Sequence, residues 1–314
     1  MLTALGVTAP FFALIFCGWL ARAKGVMRDG AQAALNQFVL YFALPALLIR
    51  TLGAVPLAEM VRPDFLGAWA LAGALMLVSG WAAARLVFRQ PGKAAVIQGF
   101  AAAHGNVGYM GITLVIGLLG PAAAAPVAMA ITVDMLLLIP VVIAAMSWID
   151  RPEGATGGAG QALATAARAA VANPFVLSIV AGLALSASGA TLPGVLDDFL
   201  RVLGQAAVPA ALFAIGLTLY GQPLRGAASE LGALCLLKLL VHPVAAALIA
   251  SRVFGLGPEL TTAAALLAAL PVANNVFVVA TRHEARPGLV SGAILISTAA
   301  ALVSFNLWAA LALR

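Results

Sequence analysis

The chain has 314 residues, of which 63% are hydrophobic and only 9% charged. A soluble domain carries about 25% charged residues, so the composition excludes a water-facing globular protein and points to an integral membrane protein. The net charge of +6 sits in loops between apolar stretches, where basic residues set orientation and meet lipid headgroups; basic patches interleaved with exposed aromatics are absent, which argues against a nucleic-acid partner.

A spanning helix needs about 20 mostly apolar residues, and on that rule the chain is all-α with ten predicted spans. Span 1 (3–21) opens the chain, with Arg22, Lys24 and Arg28 behind it rather than before it, so a cleaved signal peptide is not expected. Spans 2 (32–52), 3 (65–87), 4 (94–119) and 5 (122–148) follow. A polar stretch from Asp150 to Gln161 holds Gly154, Gly157, Gly158 and Gly160 and reads as a linker. Spans 6 (169–188), 7 (198–220), 8 (229–254), 9 (259–281) and 10 (288–312) complete the chain. Cys17 and Cys235 fall inside spans and read as small buried side chains, with no disulfide or metal site implied. Pro10, Pro45, Pro174 and Pro209 are expected to kink their helices. Trp19, Trp69, Trp81, Trp148 and Trp308 fall mostly near span ends and read as interface anchors.

Part of the chain is written twice. Val7, Pro10, Phe11, Ile15 and Gly18 recur at an offset of 164 as Val171, Pro174, Phe175, Ile179 and Gly182, and Pro45, Ala46 and Leu48 recur as Pro209, Ala210 and Leu212. At an offset of 166, Pro121 becomes Pro287 and Thr132 becomes Thr298. The expected organisation is a first repeat over 1–149 (spans 1–5), a cytoplasmic linker over 150–165 and a second repeat over 166–314 (spans 6–10). Eleven Lys and Arg lie in the loops after odd-numbered spans and five on the opposite side, so the positive-inside rule places both termini outside. Five spans per repeat is an odd number, so the repeats are expected to be inverted, an arrangement that gives alternating access around a central site.

Span 4 contains His104-Gly105-Asn106-Val107-Gly108-Tyr109-Met110-Gly111, and span 9, its counterpart, contains Pro271-Val272-Ala273-Asn274-Asn275. Glycine destabilises a helix by about 1 kcal/mol relative to alanine, and proline breaks its hydrogen-bond ladder. Interrupted helices at corresponding places in two halves are the sequence pointer to a transporter binding site. Such breaks present half-helix N-termini with free N–H groups and a positive dipole end, which suit a carboxylate. The candidate substrate-binding residues are therefore Gly105, Asn106, Gly108, Pro271, Asn274 and Asn275. The plainer alternative is a kink at Pro271 with the asparagines bonded to neighbouring helices.

The run from Gly105 to Ile112 resembles the broken fourth helix of the auxin efflux carrier family. Leu35-Asn36-Gln37-Phe38-Val39, leading to Ala43-Leu44-Pro45-Ala46-Leu47-Leu48, is similar to that family's second span, and Pro271 with Asn274-Asn275 to its ninth. The resemblance runs from span 1 to span 10. It implies the fold of the bile acid:sodium symporters, with a scaffold of spans 1, 2, 6 and 7, a transport domain of spans 3–5 and 8–10, and broken spans 4 and 9 crossing within the transport domain. The short central loop, Ser147 to Arg168, resembles the bacterial members, for which malonate, malate and related organic acids are implied substrates and the inner membrane the implied location.

Candidate coupling or supporting residues lie nearby. Asp134, in the middle of span 5, costs about 2.5–3.5 kcal/mol on insertion scales. It reads as a proton-coupling carboxylate or a structural partner for a basic residue; its repeat counterpart is Ala300. Lys238 and His242, four apart on one face of span 8, read as ligands of a second substrate carboxylate or partners of Asp134; the alternative is a snorkelling lysine and a histidine bonded to backbone. His104 reads equally as a proton relay or a bridge between helices. Thr132 and Thr298 are candidate ligands or hydroxyls bonded within their own helices. Arg282, His283, Glu284 and Arg286 read as a solvated turn.

Rival classes fare worse. The Ser-Gly pairs lack the preceding glycine of an intramembrane serine protease, and Asp197-Asp198 is followed by Arg201 rather than another acid, so an enzyme is not expected. Neither a metal set nor a cofactor motif is present. A channel usually needs symmetric chains or acidic filters. A sodium-coupled organic anion symporter of the related fold is the closest competitor, although spans 4 and 9 carry no carboxylate near their breaks. The expectation is a secondary carrier for a small organic anion, with membrane lipid as surroundings and proton coupling and a homodimer left open.

Overall fold

The computed structural model describes residues 2–150, 174–221 and 228–312. Among these the chain is all helical, without strands. In chain order the main segments are α1 (Leu2–Ala23), α2 (Ala31–Gly53), α3 (Pro63–Val87), α4 (Gly92–Ala103), α5 (Val107–Leu119), α6 (Pro121–Ile149), α7 (Pro174–Ser188), α8 (Gly194–Leu219), α9 (Ala228–Val253), α10 (Pro258–Ala268), α11 (Asn274–Arg282) and α12 (Pro287–Ala312). Six of them (α2, α3, α6, α8, α9 and α12) are long and apolar enough to cross a membrane. The difference from ten predicted spans has two sources. Spans 4 and 9 are each divided into two short helices, and α1 and α7 border or approach residues outside the description. The linker expected over 150–165 also lies there, Asp150 excepted.

Large apolar side chains such as Phe16, Phe42, Leu75, Val78, Val180 and Val303 stand exposed along these helices, as expected where the surrounding solvent is hydrocarbon. Cys17 stands exposed as well, and Cys235 half-buried, so their position in apolar spans reflects a lipid-compatible side chain rather than burial. Three prolines are accommodated by widened turns. Val39–Ala43, Asp134–Leu138 and Leu237–Val241 are π-helical, and each ends two residues before a proline: Pro45, Pro140 and Pro243. Proline has no N–H and its ring crowds the carbonyl four residues back; the wider π turn relieves that crowding and lets the helix continue.

The chain forms two compact units, each drawn from both halves of the sequence. The first comprises 1–62, 108–129 and 172–222, and the second 63–107, 130–171 and 223–314. In the first, backbones approach closely through glycine. An added Cβ at Gly18 of α1 would lie 2.1 Å from the Phe213 carbonyl oxygen of α8, and one at Gly216 of α8 would lie 2.0 Å from the Ile15 carbonyl oxygen. Small residues allow this van der Waals packing in a membrane, where hydrophobic burial supplies little. The same contact recurs at the offset of 164: Gly182 of α7 packs against Ile49 of α2, with an added Cβ 3.4 Å from the Ile49 Cα.

Local backbone repeats at the offset of 166 as well. The ends of α3 and α9 carry matched bonds, Phe88 N–H to Ala83 at 3.2 Å and Phe254 N–H to Ile249 at 3.1 Å, then Gln90 to Ala84 and Leu256 to Ala250, both 2.9 Å. Arg89 and Gly255 follow with φ of 51° and 62°. Gly120 and Arg286, with φ of 85° and 51°, precede Pro121 and Pro287.

Candidate functional site

The interruption in span 4 is three residues long. α4 stops at Ala103, His104 is extended (φ −93°, ψ 106°), and helix resumes at Val107. The interruption in span 9 runs over 269–273, between the end of α10 at Ala268 and the start of α11 at Asn274. Within the second unit these two segments pair as an isolated antiparallel bridge, Gly105 against Val272. The Asn106 N–H donates to the Pro271 carbonyl at 2.9 Å, and the Ala273 N–H donates to the His104 carbonyl at 3.2 Å. The Val272 N–H donates to the Ser297 hydroxyl oxygen of α12 at 3.1 Å. Irregular backbone at membrane depth must be satisfied by protein, and here each interruption satisfies the other. Ser297 was not singled out in the sequence, because an isolated serine in an apolar helix usually bonds back to its own helix.

Ala273 at the cap of α11 makes no side-chain bond to the first-turn N–H groups, of which that of Val276 donates to the Ala273 carbonyl at 3.2 Å. Asn274 is half-buried and Asn275 exposed, while Asn106 and Pro271 are buried. The bridge thus brings Gly105 and Asn106 against Pro271 and Val272, and Asn274 and Asn275 follow as the first residues of α11. Gly108 falls in the first compact unit. Thr132 is half-buried on α6, and Thr298 is buried on α12 one residue past Ser297.

A buried polar cluster adjoins the bridge in the same unit. The Asp134 carboxylate accepts from the Trp69 indole N–H at 2.9 Å and meets His104 Nδ1 at 3.1 Å. His104 stacks on Phe100 with ring centroids 5.0 Å apart. Lys238 is fully buried; its Nζ donates to His242 Nδ1 and to the Ala268 carbonyl, both at 2.9 Å. The His242 ring lies 5.9 Å from Trp69, and its Nε2 has no partner among the described residues. An added Cβ at Gly105 would come within 2.9 Å of the Lys238 Nζ, so only glycine fits there without displacing the lysine.

Several expectations need correction. Trp69 is 4% exposed and serves Asp134, not the membrane interface; its place near the start of α3 hid this. Trp308 likewise donates inward, to the Leu239 carbonyl at 2.9 Å. Lys238 does not snorkel and forms no direct ion pair with Asp134, whose basic neighbour is His104. His242 bonds Lys238 rather than backbone. The turn at 282–286 is also tied down. The buried Glu230 accepts from Gln98 Nε2 at 3.1 Å and from Arg286 Nη1 at 2.6 Å, while Asp150 pairs with Lys93 and, at 2.8 Å, with His283 Nδ1. Lys93 chiefly, and then His283, hold the Asp150 carboxyl below its usual range. Gln98, a polar residue within an apolar helix, was the available signal for the first of these networks.

No group of three or more His, Cys, Asp or Glu able to hold a metal ion occurs among the described residues. A cavity of about 220 Å³ lies in the first unit, lined by Arg22, Arg28 and Tyr220 among others, and includes no residue of either interruption.

A family model described as "Membrane transport protein" matches residues 4–154 and 161–309. A protein of Rhizobium meliloti (strain 1021) named "Putative malonate transporter" is 37% identical over 303 residues, covering 93% of this chain and 91% of that one. An "Uncharacterized transporter" of Methanothermobacter thermautotrophicus is 26% identical over 306 residues, with 94% of each chain covered. "Uncharacterized transporter YfdV" of Escherichia coli (strain K12) is 22% identical over 308 residues, covering 97% and 96%.

Proposed function

The chain belongs to the membrane transport protein family, that of the auxin efflux carriers, and from that premise we propose that it is a secondary carrier for a small organic anion, a mono- or dicarboxylate such as malonate or malate. The observation that carries the proposal is the paired interruption at Gly105 and Val272. It sets the segment holding Gly105 and Asn106 against the segment that leads into the N-terminus of α11 at Asn274 and Asn275, which supports a common site for these residues. A carboxylate there accepts from first-turn N–H groups and amide donors, and the dipole end of α11 favours its charge. The relative named for malonate transport supports the choice of substrate class.

The architecture belonging to this reading is ten membrane helices in two inverted repeats, with spans 4 and 9 broken. The matched turns after α3 and α9, the matched turns before Pro121 and Pro287, and the Gly18 and Gly182 contacts support the repeat. Alternating access then follows from movement of the second compact unit, as cargo-bearing domain, against the first, in the inner membrane with both termini outside. In this reading His104 and Asp134 are the proton-responsive pair behind the site.

The test is uptake of labelled malonate and malate into proteoliposomes, with and without an imposed pH gradient, by the wild type and Asn106→Ala. We expect saturable uptake, at least tenfold lower in the variant at equal incorporation. Normal flux in Asn106→Ala removes the central site from the interruptions, and no wild-type flux above empty liposomes removes these dicarboxylates as substrates.

A further inference from the structure

We propose that the Lys238 ammonium is a resident cation of the paired interruptions, doing the electrostatic work that an exchangeable Na⁺ does in other broken-helix carriers, so that this chain runs without sodium. Such carriers coordinate Na⁺ with unwound carbonyls and the C-terminal ends of half-helices, where the helix dipole is negative. Lys238 occupies that kind of position. Its Nζ donates to the carbonyl of Ala268, the last residue of α10, at 2.9 Å. A Cβ built on Gly105, inside the other interruption, would lie 2.9 Å from the same Nζ and 3.5 Å from the Leu267 carbonyl oxygen. The nitrogen is thus lodged between the end of one half-helix and the break in the other.

The surroundings fit a fixed charge. Lys238 is fully buried, so its charge is not spent on solvent or headgroups. His242 Nδ1 accepts from it, and Asp134 supplies a negative charge in the same cluster, itself held by Trp69 and His104. A buried charge persists only where hydrogen bonds and an opposite charge compensate it. Gly105 supplies the room. The cluster is also one-sided: the residues at the repeat offset from Lys238 and Asp134 are Ala72 and Ala300, so a single cation serves both interruptions.

The inference rests on the carrier reading, and its test is chosen to need no transport. Purified full-length wild type and Lys238→Ala are melted in NaCl, in choline chloride and in methylammonium chloride. Wild type is expected to melt at the same temperature in all three. Lys238→Ala is expected to melt lower in choline and to recover by several degrees in methylammonium or sodium, because a small cation that binds only the folded chain raises its melting temperature. A wild type stabilised by sodium over choline, or a Lys238→Ala variant indifferent to small cations, overturns the proposal. If Lys238→Ala yields no folded protein, Lys238→Met, which keeps the side-chain length without the charge, is melted in choline instead: a fall of about 5 °C or more supports the proposal, and melting with the wild type overturns it. Absent malonate uptake with the salt pattern intact refutes the substrate assignment alone, whereas sodium-dependent melting with intact uptake refutes the resident cation alone.

Discussion

The two compact units bury different chemistry. Among the described residues of the first, the buried polar side chains are Thr113 and Ser178, and both hydroxyls donate to carbonyls four residues back in their own helices. Its helices are held by glycine against carbonyl, as at Gly18 and Gly216. In the second unit lie the buried ionisable residues His104, Asp134, Glu230, Lys238 and His242, together with the paired interruptions. A charge within a membrane is costly, so the second unit compensates its charged side chains with hydrogen bonds. In the carrier proposed above, that unit is the one suited to a polar cargo.

The largest expected effect tests the charged side of that contrast. Asp134→Ala leaves His104 and Trp69 facing a void and removes the negative member of the Lys238 cluster; losing one partner of a buried pair costs about 3–5 kcal/mol, read as a marked fall in melting temperature in detergent. A variant melting with the wild type would mean the cluster is not compensating charge. Asp134→Asn, which keeps an acceptor for Trp69, is expected to fold and to flatten the pH dependence of uptake. Next comes the packed side. Gly216→Leu drives a side chain into the Ile15 carbonyl and is expected to cost about 3 kcal/mol through overpacking, read as loss of monodisperse protein. Normal yield would show that α1 and α8 do not depend on close approach.

Smaller effects sharpen the picture. Trp69→Phe keeps the ring against His242 but removes the hydrogen bond to Asp134, with an expected loss of about 1.5–3 kcal/mol for a bond to a charged group. Smallest is Asp150→Asn. The Asp150 carboxyl is held below its ordinary value of 3.8, so its contribution to stability is present above that pH and lost as pH falls through the depressed value. Asp150 and Lys93 are about one third exposed, so solvent screens the pair and about 1 kcal/mol or less is at stake. The difference in melting temperature between wild type and Asp150→Asn should therefore shrink in acid; a difference that grows there would reverse the sign of the interaction.

The two helix interruptions were legible because their signals are local. Three glycines and an asparagine near 105–111, and a proline ahead of two asparagines at 271–275, are faults in otherwise good apolar helices, and a helix registers such faults within one or two turns. The offsets of 164 and 166 were legible for the same reason, since the turns they mark are set by Gly and Pro. Partner choice was not legible. Nothing in the sequence distinguishes Trp69 from Trp81, yet one indole is buried against a carboxylate and the other is exposed. Lys238 and His242 were correctly grouped by their spacing of four, but whether the lysine reached the interface, Asp134 or a helix end depends on residues 30 or more positions away.

The membrane environment, the apolar segments, the places where helices fail and the family can all be read from the order of the amino acids. Those follow from composition and from short-range backbone chemistry, which each stretch of chain carries with it. It takes the folded chain to pair the two failures through Asn106, Pro271, His104 and Ala273 and to set Lys238 on the Ala268 carbonyl. A buried N–H, carbonyl or charge must find a partner when water is absent, and which partner it finds is settled by the packing of distant helices.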